Sequence, residues 1–250
     1  MANNFYFYRN LIFTTLVIMD LPYFFEQTIP QVNQAFCLSS TTHKHCAQVL
    51  RMKAGEKILL TNGQGLSATA IITDTNKKNT YAMITNVEQH SPRTKKVSIG
   101  LSLLKNTNRF EWFLEKVTEL GVYEIIPLLT TRTEKQHFRN ERMEQIVIAA
   151  MLQSKQCWLP ILHNPTAFKN IVEYPKTCKL IAHCLEGEKK TIQTFSNEKE
   201  ILILIGPEGD FTAEEINLAI QHQFVPVSLG NTRLRTETAG IVAATLSILN

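Results

Sequence analysis

The sequence predicts an α/β protein in which a small β-barrel precedes a mostly parallel sheet with helices on both faces. Residues 34–90 consist of short strands separated by turn residues, with one helix near residues 43–51. After residue 96, apolar strands alternate with helices whose apolar residues recur at the helical period. The chain has 250 residues, 44% hydrophobic and 19% charged, and is therefore long enough to bury two modest cores.

We expect four segments along the chain. Residues 1–18 are interpreted as an N-terminal extension outside the fold, because their apolar runs are too short to span a bilayer and Met19 opens the polar-patterned part. A targeting peptide is the alternative. Residues 19–90 are assigned to the barrel and residues 91–96, S-P-R-T-K-K, to a linker. Residues 97–250 then form the α/β domain.

Individual elements follow from local patterns. In the barrel, strands at 56–62 and 66–73 meet across two glycines as a hairpin, and residues 81–87 add a strand. In the α/β domain, a helix carries Phe110, Phe113, Leu114, Val117 and Leu120 and ends at Gly121, and a second helix covers 142–154. We expect strands at 97–104, 122–129, 178–184, 200–205 and 224–229, with helices after the last two.

Charge and cysteine content narrow the choice of partners. A net charge of +4 suits a polyanionic partner without requiring one. Five scattered cysteines fit neither a disulfide framework nor a zinc finger and favour a reducing cytosol. The run H-K-H-C at residues 43–46 lacks a second ligand pair, so we expect a helix surface and no metal there. The pair His183-Cys184 is interpreted as a strand end.

Two loops that follow predicted strands carry unusual polar groups, at the edge where α/β sheets bind ligands. In G-P-E-G-D-F-T, residues 206–212, Glu208 and Asp210 disfavour phosphate and suit a ligand with hydroxyls or a positive centre. A tight turn is the alternative. The next helix begins at Thr212, with Glu215 completing a capping box.

The second loop, L-G-N-T-R-L-R-T-E-T-A-G, covers residues 229–240. We expect one threonine to cap the helix, which leaves Arg233 and Arg235 facing an anionic group, either the carboxylates of the first loop or a ligand. Small residues along the helix permit close approach of another backbone, within the sheet or at a subunit interface: Ala239, Gly240, Ala243 and Ala244.

Together the two loops resemble the signature of the RsmE family, SPOUT-superfamily enzymes that methylate N3 of a uridine in small-subunit ribosomal RNA. The resemblance extends to K-N-T-N-R-F-E-W-F-L-E-K-V-T-E-L-G-V-Y-E-I-I-P and H-K-H-C-A-Q-V-L-R-M-K-A-G-E, and so covers nearly everything after Met19. It implies a PUA-like barrel, a trefoil knot in the α/β domain, S-adenosylmethionine as cofactor, and a cytoplasmic homodimer acting on ribosomal RNA within the 30S subunit. It assigns the cofactor pocket to Ile205, Gly206, Pro207, Glu208, Gly209, Leu229, Gly230, Leu234, Arg235, Thr236, Thr238 and Ala239.

The target atom, uracil N3, carries a proton at neutral pH, so the implied reaction needs an unpaired base and loss of that proton. We expect Arg235 to stabilise charge on a uracil oxygen, and Glu237 to orient a group or accept the proton. Trp112 is the candidate stacking residue. Candidate RNA contacts are Arg51, Lys53, Arg109, Lys116, Arg132 and Lys155.

One segment departs from the family pattern. L-Q-S-K-Q-C-W-L-P has Leu152 and Gln156 where many members have Glu and Arg, and Lys155 cannot reproduce the bidentate geometry of arginine. Alternative functions are a non-catalytic RNA-binding protein and a SPOUT methyltransferase acting on a different RNA. A nucleotide-dependent enzyme is disfavoured, because the chain has no phosphate-binding loop.

Overall fold

The computed structural model describes residues 21–134 and 137–249, so the predicted extension at residues 1–18 lies outside the described residues. The first sheet has the strand order β1-β3-β4-β5-β2. Its β3, β4 and β5 are antiparallel neighbours, which confirms the predicted hairpin, whereas β1 runs parallel to β3. The strands are β1 (Tyr23–Phe25), β2 (Ala35–Cys37), β3 (Lys57–Thr61), β4 (Leu66–Thr75) and β5 (Thr80–Gln89).

Alternate residues of these strands form the core of the first sheet, as the period of two requires. Ile58 and Leu60 of β3 are buried with Ala82 and Ile84 of β5. Helix α1 (Ser40–His43) continues as a π-helical segment (Lys44–Val49) and covers this core.

The helix-surface interpretation of H-K-H-C was wrong for two of its four residues. His43 is buried and its Nδ1 lies 2.8 Å from the Thr80 hydroxyl, and Cys46 is fully buried. Because these residues are three apart on a helical segment, they share the face that packs on the sheet.

The second sheet has the order β11-β13-β10-β12-β6-β7-β8, and β9 also pairs with β7. All of these pairings are parallel, which confirms the prediction from strand and helix alternation. Strand β6 begins at Lys96, which was predicted as the last linker residue. The strands are β6 (Lys96–Ser102), β7 (Glu124–Leu129), β8 (Ile161–Leu162), β9 (Thr166–Ala167), β10 (Cys178–Ala182), β11 (Lys190–Thr191), β12 (Glu200–Ile205) and β13 (Val225–Ser228).

Helices cover both faces of the second sheet. Ile201, Ile203 and Ile205 of β12 lie in one core cluster with residues of α2, α3 and α6. Leu202 and Leu204 point the other way and pack with residues of α4 and α5. The helices are α2 (Thr107–Leu120), α3 (Asn140–Gln153), α4 (Phe168–Ile171), α5 (Ala213–Gln221) and α6 (Thr236–Ile248).

The small residues of α6 pack inside the described chain. Gly240, Ala243 and Ala244 are buried. A Cβ atom on Gly240 would lie 2.5 Å from Cδ1 of Leu101 and 2.6 Å from Cε2 of Phe113. Of the two predicted uses of this stripe, packing against the sheet is therefore the one the structure shows. Among the described helices, none is long and apolar enough to cross a membrane.

Gln156, one of the two residues expected to depart from the family pattern, forms an internal contact. Its Nε2 donates to the carbonyl oxygens of Thr118 and Glu119, each at 2.9 Å, and so satisfies the C-terminal end of α2. Its Oε1 accepts from Arg93, which also donates to the Val122 carbonyl at 2.8 Å. The departure from the family pattern therefore has a structural role at the end of α2.

Candidate functional site

A cleft of about 720 Å³ lies at the carboxyl ends of β10, β12 and β13. Strand β10 pairs in parallel with both β12 and β13, so the loops that follow these three strands emerge at one edge of the sheet. The loops cover residues 183–189, 206–211 and 229–235. The cleft is large enough for a nucleoside-sized ligand.

Ten of the twelve residues that the resemblance assigns to the cofactor line this cleft. They are Ile205, Gly206, Pro207, Glu208, Leu229, Gly230, Leu234, Arg235, Thr236 and Ala239. Gly209 and Thr238 do not lie on its wall. A Cβ atom on Gly209 would be 3.3 Å from Cδ of Arg132, so this glycine faces Arg132 instead.

The loop at 206–211 is fixed by contacts on its outer side. Arg132, predicted as an RNA contact, donates to the carbonyl oxygens of Gly209 and Phe211. The predicted capping box is confirmed, because Thr212 and Glu215 exchange both of its hydrogen bonds. The same Glu215 carboxylate also accepts from the Thr131 amide at 2.8 Å. These contacts fix the conformation of the loop at the cleft.

In the loop at 229–235, the second residue, Gly230, is left-handed, and the predicted threonine cap of α6 is absent. Gly230 has φ 140°, a conformation that side chains rarely adopt, so glycine is required there. The prediction that a threonine caps α6 was wrong. The N-cap residue is Arg235, in an extended conformation and with no side-chain capping bond, and Thr236 is already the first helical residue.

Two arginines on this wall have no anionic partner among the residues that the structure describes. Arg233 and Arg235 are exposed and line the cleft. Neither forms an ion pair with Glu208 or Asp210 in the described ranges. Asp210 instead accepts from the amides of Cys184 and Phe211, at 2.7 and 2.8 Å. A ligand is therefore the remaining candidate for the anionic partner of these arginines.

The third wall was missed by sequence reasoning. His183, Cys184 and Lys189 of the loop after β10 line the cleft. Both ring nitrogens of His183 are buried and make no hydrogen bond of normal geometry within residues 21–134 and 137–249, although the Leu185 backbone lies nearby. Burial and the charge of Lys189 lower the pKa of His183. The available signal was that the strand at 178–184 ends in polar residues at the same sheet edge.

The two predicted catalytic residues have different surroundings. Arg235 is on the cleft wall, whereas Glu237 is 5% exposed and absent from that wall. Oε1 of Glu237 lies 3.7 Å from Nε of Arg109, and Arg109 does line the cleft. Glu237 is therefore connected to the cleft through its ion pair with Arg109.

The other predicted RNA contacts do not line this cleft. Lys116 pairs with Glu115 and Glu119 on its own helix, and Lys155 lies 5.8 Å from the centre of the Tyr23 ring. Arg51 lines a second cleft of about 460 Å³ beside the first sheet. Lys53 and Trp112 are exposed.

Comparison with known proteins connects this cleft to one family. The model of the RNA methyltransferase domain matches residues 90–248, and that of the RNA methyltransferase PUA domain matches residues 43–82. The chain is 32% identical over 222 residues to the ribosomal RNA small subunit methyltransferase E of a Synechocystis species, covering 85% of this chain and 73% of the relative. The Rickettsia conorii protein of the same name is 30% identical over 84% of this chain and 88% of its own.

A solved structure agrees with these sequence relationships. Ribosomal RNA small subunit methyltransferase E from Neisseria gonorrhoeae, bound to S-adenosylmethionine, has a TM-score of 0.79 and 27% identity, with 90% of this chain and 95% of that chain covered. The domain model alone spans more than half of the residues. The chain therefore belongs to the RsmE family of ribosomal RNA small subunit methyltransferases.

Proposed function

We propose that the protein catalyses methyl transfer from S-adenosylmethionine to N3 of a uridine in 16S ribosomal RNA. The observation that carries this proposal is the cleft, where ten residues assigned by the family resemblance meet at the edge of one parallel sheet. When bound, the cofactor supplies an electrophilic methyl group on a positively charged sulfur. The exposed Glu208 carboxylate on the wall suits that charge.

The residues of the cleft have distinct roles in this proposal. Arg235, exposed on the wall and without an anionic partner in the described chain, stabilises negative charge on a uracil oxygen as N3 loses its proton. His183 lies on the cleft wall, and its ring nitrogens, buried without a hydrogen bond among the described residues, are candidates to bond the cofactor. Gly209 and Thr238 do not line the cleft, and their place in the cofactor site rests on the family resemblance alone.

Several wider features belong to the proposal and rest on the family relationship. They are a homodimer, a trefoil knot that joins the three cleft loops, a cytoplasmic location, and the assembled 30S subunit as substrate. A domain boundary at residues 91–96 is also proposed, and it is supported by the two separate sheets. The charge of +4 favours association with ribosomal RNA.

The test is methyl incorporation from labelled S-adenosylmethionine into 30S subunits that lack the modification, followed by nucleoside mass spectrometry. A 3-methyluridine peak is expected, together with loss of incorporation in Arg235→Ala. Cofactor binding without incorporation would point to a different RNA. Failure of both binding and incorporation would favour the non-catalytic RNA-binding alternative. If a short uridine-containing oligonucleotide were methylated as efficiently as 30S subunits, the assembled 30S subunit would not be the required substrate.

A further inference from the structure

An ion pair joins the first turn of α6 to the first turn of α2. Glu237 is almost completely buried, and its Oε1 lies 3.7 Å from Nε of Arg109. The Arg109 side chain is 37% exposed and lines the cleft. The pair is therefore asymmetric, with its carboxylate inside the protein and its guanidinium group at the ligand-binding surface.

The position of Arg109 in its helix needs an explanation. Helix α2 has Asn106 as its N-cap, so Arg109 is the third helical residue. A cation there opposes the helix dipole, which favours negative charge at the N-terminus. Glu237 supplies the compensating charge. It meets Nε, which leaves the two terminal nitrogens of the guanidinium group available to a ligand.

The contact is not a completed structural ion pair. At 3.7 Å it exceeds hydrogen-bond length, and the second carboxylate oxygen, Oε2, is buried with no hydrogen-bond partner among the described residues. A buried carboxylate normally has its oxygens satisfied. The contact is therefore a charge–charge interaction between Glu237 and Arg109 and not a hydrogen-bonded ion pair.

We infer that Glu237 is a positioning residue that holds Arg109 on the cleft wall, where Arg109 contacts a carbonyl oxygen of the target uracil. This inference rests on the proposed function and refines it. In the reaction, the N3–H bond breaks and the proton passes to water. The N3 electron pair forms the bond to the methyl carbon while the carbon–sulfur bond breaks and sulfur keeps its pair. Negative charge on the uracil oxygens rises before N3 is methylated, and a guanidinium fork is suited to stabilise it.

The experiment compares wild type with Arg109→Ala, Arg109→Lys, Glu237→Gln and the Arg109→Ala/Glu237→Gln double variant. For each, kcat and KM on 30S subunits and the dissociation constant of S-adenosylmethionine are measured. We expect kcat to fall about 100-fold in Arg109→Ala and in Glu237→Gln. The double variant should be no slower than the slower single variant, because the two residues act as one unit. Cofactor affinity should stay within about threefold of wild type.

Two additional measurements separate a positioning role from a structural one. Millimolar guanidinium ion should restore part of the activity of Arg109→Ala, and restore less when Glu237 is also replaced. A matched control is the exposed Arg142–Glu111 pair, which lies outside the cleft lining and joins α3 to the same helix α2. Its Arg142→Ala variant should keep wild-type kcat.

Three outcomes would overturn the inference while leaving the proposed function intact. Near-normal turnover of Arg109→Ala would mean that Arg109 does not touch the reacting base. A rise in KM with unchanged kcat would indicate a contact with RNA phosphate instead. A Glu237→Gln variant that is far slower than Arg109→Ala would make Glu237 a catalytic residue in its own right. If wild type produced no methyluridine, the proposed function would fail first, and this inference with it.

Discussion

The carboxylate of Asp210 accepts a hydrogen bond of 2.7 Å from the backbone amide of Cys184. This hydrogen bond connects the loop after β12, which contains Asp210, to the loop after β10, which contains Cys184. The two loops form two walls of the cleft. Asp210 itself has φ 63°, a left-handed conformation in which aspartate is one of the more frequent non-glycine residues. Its second oxygen accepts from the Phe211 amide at 2.8 Å and fixes that conformation.

Replacing Asp210 by glycine should weaken S-adenosylmethionine binding about tenfold, because a charge-assisted hydrogen bond of about 1 to 2 kcal/mol is lost between the two walls. Glycine adopts the left-handed conformation without strain, so the variant loses the carboxylate, its bonds to the Cys184 and Phe211 amides and its charge on the cleft wall, without new backbone strain. Isothermal titration calorimetry measures the effect. Asp210→Asn keeps an acceptor oxygen and serves as the control. Equal affinities in all three proteins would show that the tie does not shape the binding site.

His183 should show opposite effects on stability and on binding. Its two ring nitrogens are buried without hydrogen bonds in the described part of the chain, and such groups reduce stability. His183→Phe keeps an aromatic ring at this position and removes both nitrogens, so the melting temperature should be unchanged or higher. Cofactor affinity should fall about tenfold if an imidazole nitrogen bonds the cofactor. Thermal unfolding and calorimetry on the same samples test both effects, and unchanged affinity would place His183 outside the recognition of the cofactor.

The fold could be predicted from the sequence where the signal is periodic. In β12, E-I-L-I-L-I, successive residues divide between two core clusters, which requires a strand with helices on both faces. Parallel strands end at one edge, so the polar loops at 206–212 and 229–235 were expected to lie together. The family resemblance assigned twelve residues in and beside these loops to the cofactor, and ten of them line one cleft.

Contacts between distant segments could not be predicted in this way. Arg109 and Glu237 are separated by more than a hundred residues, and nothing local to either residue shows that their helices begin side by side. The predicted threonine cap of α6 was wrong because the helix begins one residue too early for it: Thr236 is already helical and Arg235 is the N-cap residue. The segment H-K-H-C was assigned to a helix surface because no second ligand pair has suitable spacing, and nothing local to it indicates the hydrogen bond between His43 and Thr80.

Gly240→Ala should destabilise the protein by about 1 to 3 kcal/mol. Alanine is the better helix former by up to about 1 kcal/mol, so helix propensity alone predicts the opposite sign. The new Cβ atom would stand 2.5 Å from Leu101 and 2.6 Å from Phe113, both completely buried in a core that packs densely, so one of them must shift. Urea unfolding monitored by circular dichroism gives the difference. A gain in stability would show that the contact between α6 and the sheet can adjust.

The Glu124 carboxylate forms a buried polar cluster in the second sheet. It accepts a hydrogen bond of 2.6 Å from Ser98, and Nζ of Lys176 lies 3.2 Å away. The Tyr174 hydroxyl is at 3.5 Å and Nε2 of His163 at 3.8 Å. Burial alone would raise the pKa of Glu124, but the neighbouring His163, the Ser98 hydroxyl and the charge of Lys176 lower it to about 2.

Acid should therefore remove the contribution of ionised Glu124 to the free energy of unfolding. The folded protein binds this proton more weakly than the unfolded chain, whose ordinary value is 4.5, so the ionised carboxylate favours the folded state. Its stabilisation, about 3 kcal/mol, is complete above pH 4.5 and disappears as the pH falls towards 2. Glu124→Gln should be less stable by about 3 kcal/mol at pH 7, because it leaves Lys176 without its counter-charge. The gap between the two proteins should narrow on acidification, as measured by urea unfolding from pH 7 to pH 3. A gap that stays constant over this range would mean that Glu124 titrates near its ordinary pKa.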